Sequence, residues 1–158
     1  MPDRSPPDAS LSGPPAPARL VAHAAAVAID GRAVLIQGAS GSGKSGLALR
    51  LIALGGVLVA DDRVALERRG ASVIARAVDP LRGLVEARGV GLLRTDQVLD
   101  DVAIATVVDL DFAPAARMPQ LRVIDLLGTD VELIFGRGVP NLDAVLVFMM
   151  RNARYQEK

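Results

Sequence analysis

One segment of the chain has the residue types and spacing of a phosphate-binding loop. Residues 38–45 fit the pattern G-x-x-x-x-G-K-S/T and consist of Gly38, Ala39, Ser40, Gly41, Ser42, Gly43, Lys44 and Ser45. Glycines let successive backbone N–H groups wrap around phosphate oxygens, and a helix that begins after the loop adds the positive end of its dipole. Lys44 is suited to neutralise the β and γ phosphates, and Ser45 to ligate Mg²⁺. The pattern predicts an ATP-type nucleotide site.

Lysine is scarce in this chain, which strengthens that interpretation. Only Lys44 and Lys158 are lysines among the 18 basic residues, and the others are arginines. A position that keeps a compact ammonium where guanidinium groups are otherwise used has a specific requirement for it. Lys44 lies inside the loop, whereas Lys158 is the last residue.

A pair of carboxylates follows the next apolar run. Asp61 and Asp62 close a strand predicted over Val57–Ala60, and the carboxyl end of a strand beside such a loop is where ligands bind in open sheets. Neighbouring side chains on a strand point to opposite faces, so the two carboxylates are expected to differ in role. One can hold Mg²⁺ through water, and the other can act as general base toward a substrate hydroxyl. An Asp-rich turn is the structural alternative.

Further charged residues occur near glycines or loops. Glu86 and Arg88 are two positions apart and are followed by two glycines, which would let them reach a metal–phosphate centre. His23 precedes the first predicted strand, and Arg117 and Arg137 lie in loops where they can contact phosphate. Taken alone, these residues are better explained as surface ion pairs and ordinary structural or exposed side chains than as site residues.

The elements that must position these residues are mostly short strands. Residues 27–29 and 33–36 flank Asp30-Gly31, a type I′ hairpin signal, and one helix is predicted over residues 46–54. A second hairpin is predicted around Gly70, and a short helix over 81–87. Further strands are predicted over 103–110, 121–124, 131–135 and 144–149. With only one convincing helix after the loop, we expect a largely β core with a strand–loop–helix–strand unit set into it.

Composition limits the class of protein. The 158 residues suit one domain, and the proline-rich residues 1–19 are expected to be a flexible tail ahead of a folded domain over 20–158. The 18 basic and 18 acidic side chains balance, and aromatic residues make up 3%, which argues against nucleic-acid binding. The sequence predicts no membrane span. The absence of cysteine excludes disulfides and fits a cytoplasmic location.

Taken in order, these motifs resemble the catalytic domain of the HPr kinase/phosphorylase family. The likeness rests on a histidine, a short hairpin, the phosphate loop, the strand end over residues 58–63 and the segment 86–91. That segment is similar to the family signature Glu-(Ile/Val)-Arg-Gly-x-Gly, with Ala87 at the position of the β-branched residue. The resemblance covers residues 21–155. It implies an α/β (α+β) fold, a strand-rich P-loop kinase core like that of phosphoenolpyruvate carboxykinase.

The resemblance also implies the cofactors and their ligands. ATP would be bound by residues 38–45, with Mg²⁺ at Ser45 and Glu86 and with Asp61 supporting the metal or the base. Asp62 is implied as the base that takes the proton of the target serine. The further implied catalytic groups are Lys44, His23, Arg88 and Arg117, and residues 136–141 roughly match the family loop tied to dephosphorylation.

The function implied is an ATP-dependent protein-serine kinase. Its substrate would be the phosphocarrier HPr or a related phosphocarrier, which it would also dephosphorylate by phosphorolysis. The resemblance further implies a homo-oligomer, whose size the sequence does not define. Two alternatives stay open: a P-loop kinase for a small metabolite, and a nucleotide-sensing regulatory module without transfer activity.

Overall fold

The chain folds around a nine-stranded mixed sheet, described by a computed structural model for residues 18–155. The strands are β1 Arg19–Ala22, β2 Ala24–Ile29, β3 Arg32–Gln37, β4 Val57–Ala60, β5 Val64–Arg69, β6 Ser72–Ala77, β7 Leu84–Ala87, β8 Gly91–Arg94, β9 Val102–Asp109, β10 Val123–Leu126 and β11 Thr129–Phe135. The helices are α1 Lys44–Ala53 and α2 Leu142–Arg151. The sheet order is β1-β5-β6-β9-β3-β2-β4, with β11 also paired to β9 and β10 to β11, while β7 and β8 form a separate pair.

The central hairpin of the sheet is the one that the sequence predicts. β2 and β3 pair antiparallel from Ile29↔Arg32 to Ala24↔Gln37. Asp30 and Gly31 connect them with φ values of 53° and 80°, as a type I′ turn requires. All six residues of β2 are buried, since both faces of this part of the sheet are covered.

The carboxyl ends of four strands lie at the same edge of the sheet. β3 runs parallel to β9, and β9 runs parallel to β11. β2 is antiparallel to both β3 and β4, so β4 has the direction of β3. The segments that leave β3, β4, β9 and β11 therefore begin at the same edge, where ligands bind in sheets of this kind.

The sheet separates two hydrophobic cores. On one face lie the helices, and that core contains Leu47 and Leu51 of α1 with Leu146 and Met150 of α2. On the other face the sheet curls over itself, and β5, β6, β10 and β11 contribute to a core made mainly of Val, Leu and Ala. α1 is thereby held directly over β2 and β3, which fixes the end of the helix that faces the glycine loop.

Residues 81–87 do not form the predicted short helix. A single 3-10 turn covers Asp79–Leu81, and Leu84–Ala87 is strand β7, paired with β8. Gly83 has a φ of 81°, which breaks any helical path before β7. Val85 is buried, and a β-branched residue in that position favours the strand.

Residues 144–149 form a helix rather than the predicted strand. They belong to α2, which is an α-helix among residues 18–155 that the sequence does not predict. The buried side chains Leu142, Leu146 and Met150 recur every four positions, while Val145 and Phe148 are exposed. In a run this apolar the helical period is hard to distinguish from that of a buried strand, and the packing against α1 and β2 decides it.

The remaining predicted elements are confirmed with their ends shifted by up to three residues, and β1 and β8 are additions. The α/β, strand-rich fold class is confirmed. Residues 1–17 of the predicted tail lie outside the described residues, and β1 begins at Arg19. Among residues 18–155, neither helix is long and apolar enough to cross a membrane.

Candidate active site

The glycine loop connects β3 to α1, and its shape depends on two glycines. Gly38 has a φ of 151°, and a Cβ added there would lie 2.6 Å from Ser42 Oγ. Gly43 is the N-cap of α1 with a φ of 103°, in the left-handed region. A side chain at either position would strain the backbone, and one at Gly38 would also collide with Ser42, whereas a Cβ at Gly43 meets nothing within 4 Å. The loop therefore needs glycine for close approach as well as for conformation.

Several amides of the loop are available to an anion. Among the described residues, the N–H groups of Ser40, Gly41 and Gly43 have no hydrogen-bond acceptor. The first turn of α1 contains no acidic side chain, so its positive end is not neutralised there. Lys44 Nζ donates to the carbonyls of Gly38 and Ala39, at 2.7 and 3.1 Å, which holds the ammonium against the loop. This arrangement fits the phosphates of a nucleotide.

Asp61 links the loop helix to the next strand. Ser45 Oγ donates to both Asp61 carboxylate oxygens, at 2.8 and 2.9 Å. The backbone N–H of Glu86 donates to the same carboxylate at 3.0 Å. Asp61 is only 4% exposed, so this carboxylate is buried and held by two donors, the Ser45 hydroxyl and the Glu86 N–H. The contact brings α1, β4 and β7 together at one point.

Asp62 has different surroundings from its neighbour. It is exposed, its φ is 73°, and its carbonyl accepts the N–H of Ala24 at 3.3 Å. That bond brings His23, itself exposed, to the same side of the sheet edge. The two aspartates do face different environments, although the cause is a left-handed turn after β4 and not alternation along a strand.

A cleft of about 510 Å³ is lined by four of the predicted site residues. Asp61, Asp62, Glu86 and Arg88 line it together with the β7–β8 turn. Glu86 pairs with Leu92 across the two strands, and Leu84 also lines the cleft, so one wall is apolar. The cleft therefore offers carboxylates at its base and apolar contact at its side.

Arg117 and Arg137 lie elsewhere. Arg117 lines a second cavity of about 290 Å³, together with Arg154 and with Arg122, whose guanidinium lies 4.2 Å from the centre of the Phe135 ring. Arg137 follows β11, and its side chain donates to the carbonyl of Asp111 at 2.7 Å. The structure therefore does not bring Arg117 into the Asp61–Glu86 cleft.

Sequence reasoning missed the carboxylate that touches the glycine loop. The Ala39 N–H donates to both oxygens of Asp111, at 2.9 and 3.1 Å. Asp111 follows β9 as Asp61 follows β4, after a buried apolar run. The same signal that indicates Asp61, an acidic residue at the end of an apolar strand, was thus available for Asp109 and Asp111.

The residues present fit a magnesium ion that is held mainly by phosphate and water. Within residues 18–155 there is no group of three or more acidic or histidine side chains that would cage a metal by itself. Mg²⁺ in nucleotide sites commonly uses one or two protein oxygens and keeps several waters. The hydroxyl of Ser45 and the carboxylate of Asp61, already in contact beside the loop, are suitable oxygens.

Together, the fold and the site define a phosphate-loop domain in which carboxylates after the following strand meet the loop. The model of the HPr serine kinase C-terminal domain matches residues 16–133, and the chain belongs to that family. It is 40% identical over 96 residues to an HPr kinase/phosphorylase of Lactococcus lactis subsp. lactis (strain IL1403), covering 60% of this chain. It is 43% identical over 127 residues to an HPr kinase/phosphorylase of Cupriavidus metallidurans, covering 73% of this chain.

These matches cover 31% and 39% of the two relatives, so the chain spans about a third of their length. The solved structure of an Hpr(Ser) kinase/phosphatase from Coxiella burnetii superposes with a TM-score of 0.71 at 26% identity. The superposition covers 84% of this chain and 94% of that chain. The strand-rich α/β architecture is therefore the family's.

Proposed function

We propose that residues 20–158 form the catalytic domain of an ATP-dependent protein-serine kinase that acts on HPr or a related phosphocarrier. The observation that carries the proposal is that Asp61, bonded to Ser45 and to the Glu86 N–H, lines one cleft with Glu86 and the exposed Asp62. Family membership and the names of the relatives support the substrate class. The same site would also run in reverse as a phosphorylase.

Different residues of the chain would bind the phosphates and the metal during phosphoryl transfer. The amides of the loop and Lys44 bind the β and γ phosphates, which need positioning and charge neutralisation more than covalent help. Ser45 and Asp61, with Glu86 in the same cleft, would hold Mg²⁺, which when bound neutralises charge on the phosphates. These groups fix the γ phosphate at the base of the cleft.

Asp62 acts as the base. Its exposed carboxylate lies in the cleft and accepts the proton of the serine hydroxyl as the oxygen bonds to the γ phosphorus and ADP leaves. In the reverse direction, inorganic phosphate attacks phosphoserine, Asp62 returns the proton to the serine oxygen, and pyrophosphate is released. Arg88 lines the cleft, and the exposed His23 precedes Ala24, whose N–H bonds to the Asp62 carbonyl; both would orient the incoming segment. Arg117 is a proposed catalytic group only if its loop moves toward the cleft.

Location and assembly complete the proposal. A cytoplasmic location is supported by the absence of cysteine from the 158 residues. Self-association is supported by α2, whose Phe148 is 69% exposed beside Val145 on the outer face of the helix.

A metabolite kinase is less well supported than a protein kinase. Residues 102–149 end in helix α2, so the strand content of this segment does not distinguish the two kinds of kinase. The support for a protein kinase comes from family membership and from the apolar wall at Leu84 and Leu92, which suits a protein segment better than a small polar acceptor.

A transfer assay tests the proposal. The protein is incubated with Mg²⁺, ATP radiolabelled at the γ phosphate, and either HPr or HPr whose target serine is replaced by alanine. We expect label on HPr and none on the alanine form. Label on a small metabolite in place of HPr would support the metabolite kinase. Tight ATP binding with no transfer to either would support the nucleotide-sensing module.

A further inference from the structure

Asp111 places a carboxylate on the phosphate loop itself. Both of its oxygens accept the N–H of Ala39, the second residue of the loop, across 72 positions of sequence. That amide is therefore engaged, whereas those of Ser40, Gly41 and Gly43 are free among the described residues. Asp111 holds the loop near its start, while the free amides after Ala39 are left for an anion.

Asp111 is itself held in place by the ends of two strands. Its own N–H donates to Asp109 Oδ1 at 2.9 Å, and Gln37 Nε2 donates to Asp109 Oδ2 at 3.0 Å. Asp109 is buried, so these bonds are largely shielded from water. The last residue of β3, the last residue of β9 and the loop amide are thereby joined in one hydrogen-bonded chain.

A third strand end contacts the same segment. The Arg137 side chain donates to the Asp111 carbonyl at 2.7 Å, and the Arg137 N–H donates to the Phe112 carbonyl at 3.0 Å. The rings of Phe112 and Phe135 lie 5.1 Å apart. Residues 109–112 are therefore fixed between the phosphate loop and the turn that follows β11.

The negative charge of Asp111 limits the ways in which this residue can promote nucleotide binding. A carboxylate near a triphosphate repels it, so electrostatics alone would disfavour an acidic residue here. A geometric contribution remains, because amides that are already aimed at an anion need no reorganisation when it binds. Holding the N–H of Ala39 fixes the start of the loop and hence the direction of the amides after it.

We propose that Asp111 is a positioning residue for nucleotide binding, which braces the start of the phosphate loop through the Ala39 amide and connects it to the turn after β11. The proposal rests on the proposed function only in that the loop binds ATP. It requires an oxygen acceptor at this position and not a negative charge.

Three variants test it: Asp111→Ala, Asp111→Asn and, as a matched control, Asp130→Ala at an exposed position on β11. Two quantities are measured, the dissociation constant of MgATP by calorimetry and the hydrogen-exchange rate of the Ala39 amide by NMR. In Asp111→Ala we expect ATP binding to weaken and the amide to exchange faster, each by about tenfold, the size expected for loss of one hydrogen bond to a charged group. Asp111→Asn should stay within about threefold on both measures because its oxygen can accept the N–H, and the control should match the parent protein.

Three results would overturn the proposal. Unchanged exchange of the Ala39 amide in Asp111→Ala would show that the carboxylate does not hold the loop. Tighter ATP binding in Asp111→Ala would show that the carboxylate competes with phosphate. Equal losses of ATP affinity in Asp111→Ala and Asp111→Asn, with equally lowered melting temperatures, would show that Asp111 only stabilises the fold. If the parent protein did not bind ATP, the proposed function would fail, while the exchange rates would still decide whether the brace exists.

Discussion

Ser45 Oγ donates a hydrogen bond that both carboxylate oxygens of Asp61 share, at 2.8 and 2.9 Å. This contact attaches the first turn of α1 to the residue that ends the β4 segment. Because Asp61 also accepts the Glu86 N–H, any change at Ser45 or Asp61 is transmitted to the β7 side of the cleft. The pair is therefore both a structural link and the best-placed set of oxygens for Mg²⁺.

Replacing the proposed metal ligands should change the Mg²⁺ requirement for ATP binding. We expect Ser45→Ala and Glu86→Gln each to raise the Mg²⁺ concentration needed for half-maximal ATP binding by ~10–100-fold. Ser45→Thr should need the same Mg²⁺ concentration as the parent protein, because the loop pattern accepts either hydroxyl. The measurement is ATP affinity across a Mg²⁺ titration. A normal titration for Glu86→Gln would remove Glu86 from the metal site and leave Ser45 in it.

Removal of the loop ammonium should abolish transfer and spare the fold. Lys44→Ala loses a charge that is aimed at the phosphates, and such losses typically cost ~10²–10³ in rate. Lys44 Nζ bonds only to loop carbonyls among the described residues, so the melting temperature of the nucleotide-free protein should change little. Rate is measured by phosphate transfer and stability by thermal melting. Near-normal turnover in Lys44→Ala would remove the loop from the mechanism.

Substitutions of Asp62 and Asp61 should have different effects on transfer rate and ATP affinity. Asp62→Asn removes the proposed base, and asparagine tolerates the left-handed φ of 73° at this position, so the fold should be unchanged. Serine phosphorylation should fall by ~10²–10⁴ while ATP affinity stays near that of the parent protein. Parallel measurements of transfer rate and ATP affinity test this.

Asp61→Asn should behave differently. The amide oxygen at the Oδ2 position can still accept the Ser45 hydroxyl and the Glu86 N–H, but the bonds to a carboxylate become weaker neutral ones, at a cost of about 1 kcal/mol in unfolding free energy. The affinities for Mg²⁺ and for ATP should fall together with the free energy of unfolding. A fully active Asp62→Asn with a dead Asp61→Asn would reverse the roles assigned to the two carboxylates.

Gly38 should be intolerant of even one added methyl group. In Gly38→Ala the Cβ would lie 2.6 Å from Ser42 Oγ, at a φ of 151° that L side chains rarely adopt. We expect loss of ATP binding by more than about tenfold, because the loop must shift to relieve the contact. Gly31→Asn is the control: it also has a positive φ, a Cβ there meets nothing within 4 Å, and asparagine suits that turn. Equal ATP affinity in both variants would show that the loop is not close-packed at Gly38.

Features carried by contiguous residues could be predicted from the sequence. The phosphate loop, the type I′ turn at Asp30-Gly31 and the strand ending at Asp61-Asp62 each depend on local spacing and backbone preference, and each is confirmed as a structural element. The order of the motifs also indicated the family, and that is confirmed. The catalytic roles of Asp62, His23, Arg88 and Arg117 stay predictions.

Features that depend on packing between distant segments needed the tertiary structure. Residues 144–149 are apolar throughout, so only burial against α1 and β2 distinguishes a helix from a strand there. Likewise, Asp111 meets Ala39 because β3 and β9 are parallel neighbours whose ends lie at one edge. Local spacing sets which groups a segment carries, whereas sheet order and direction decide which of those groups meet, because hydrogen bonds between strand ends require an adjacency that no local pattern encodes.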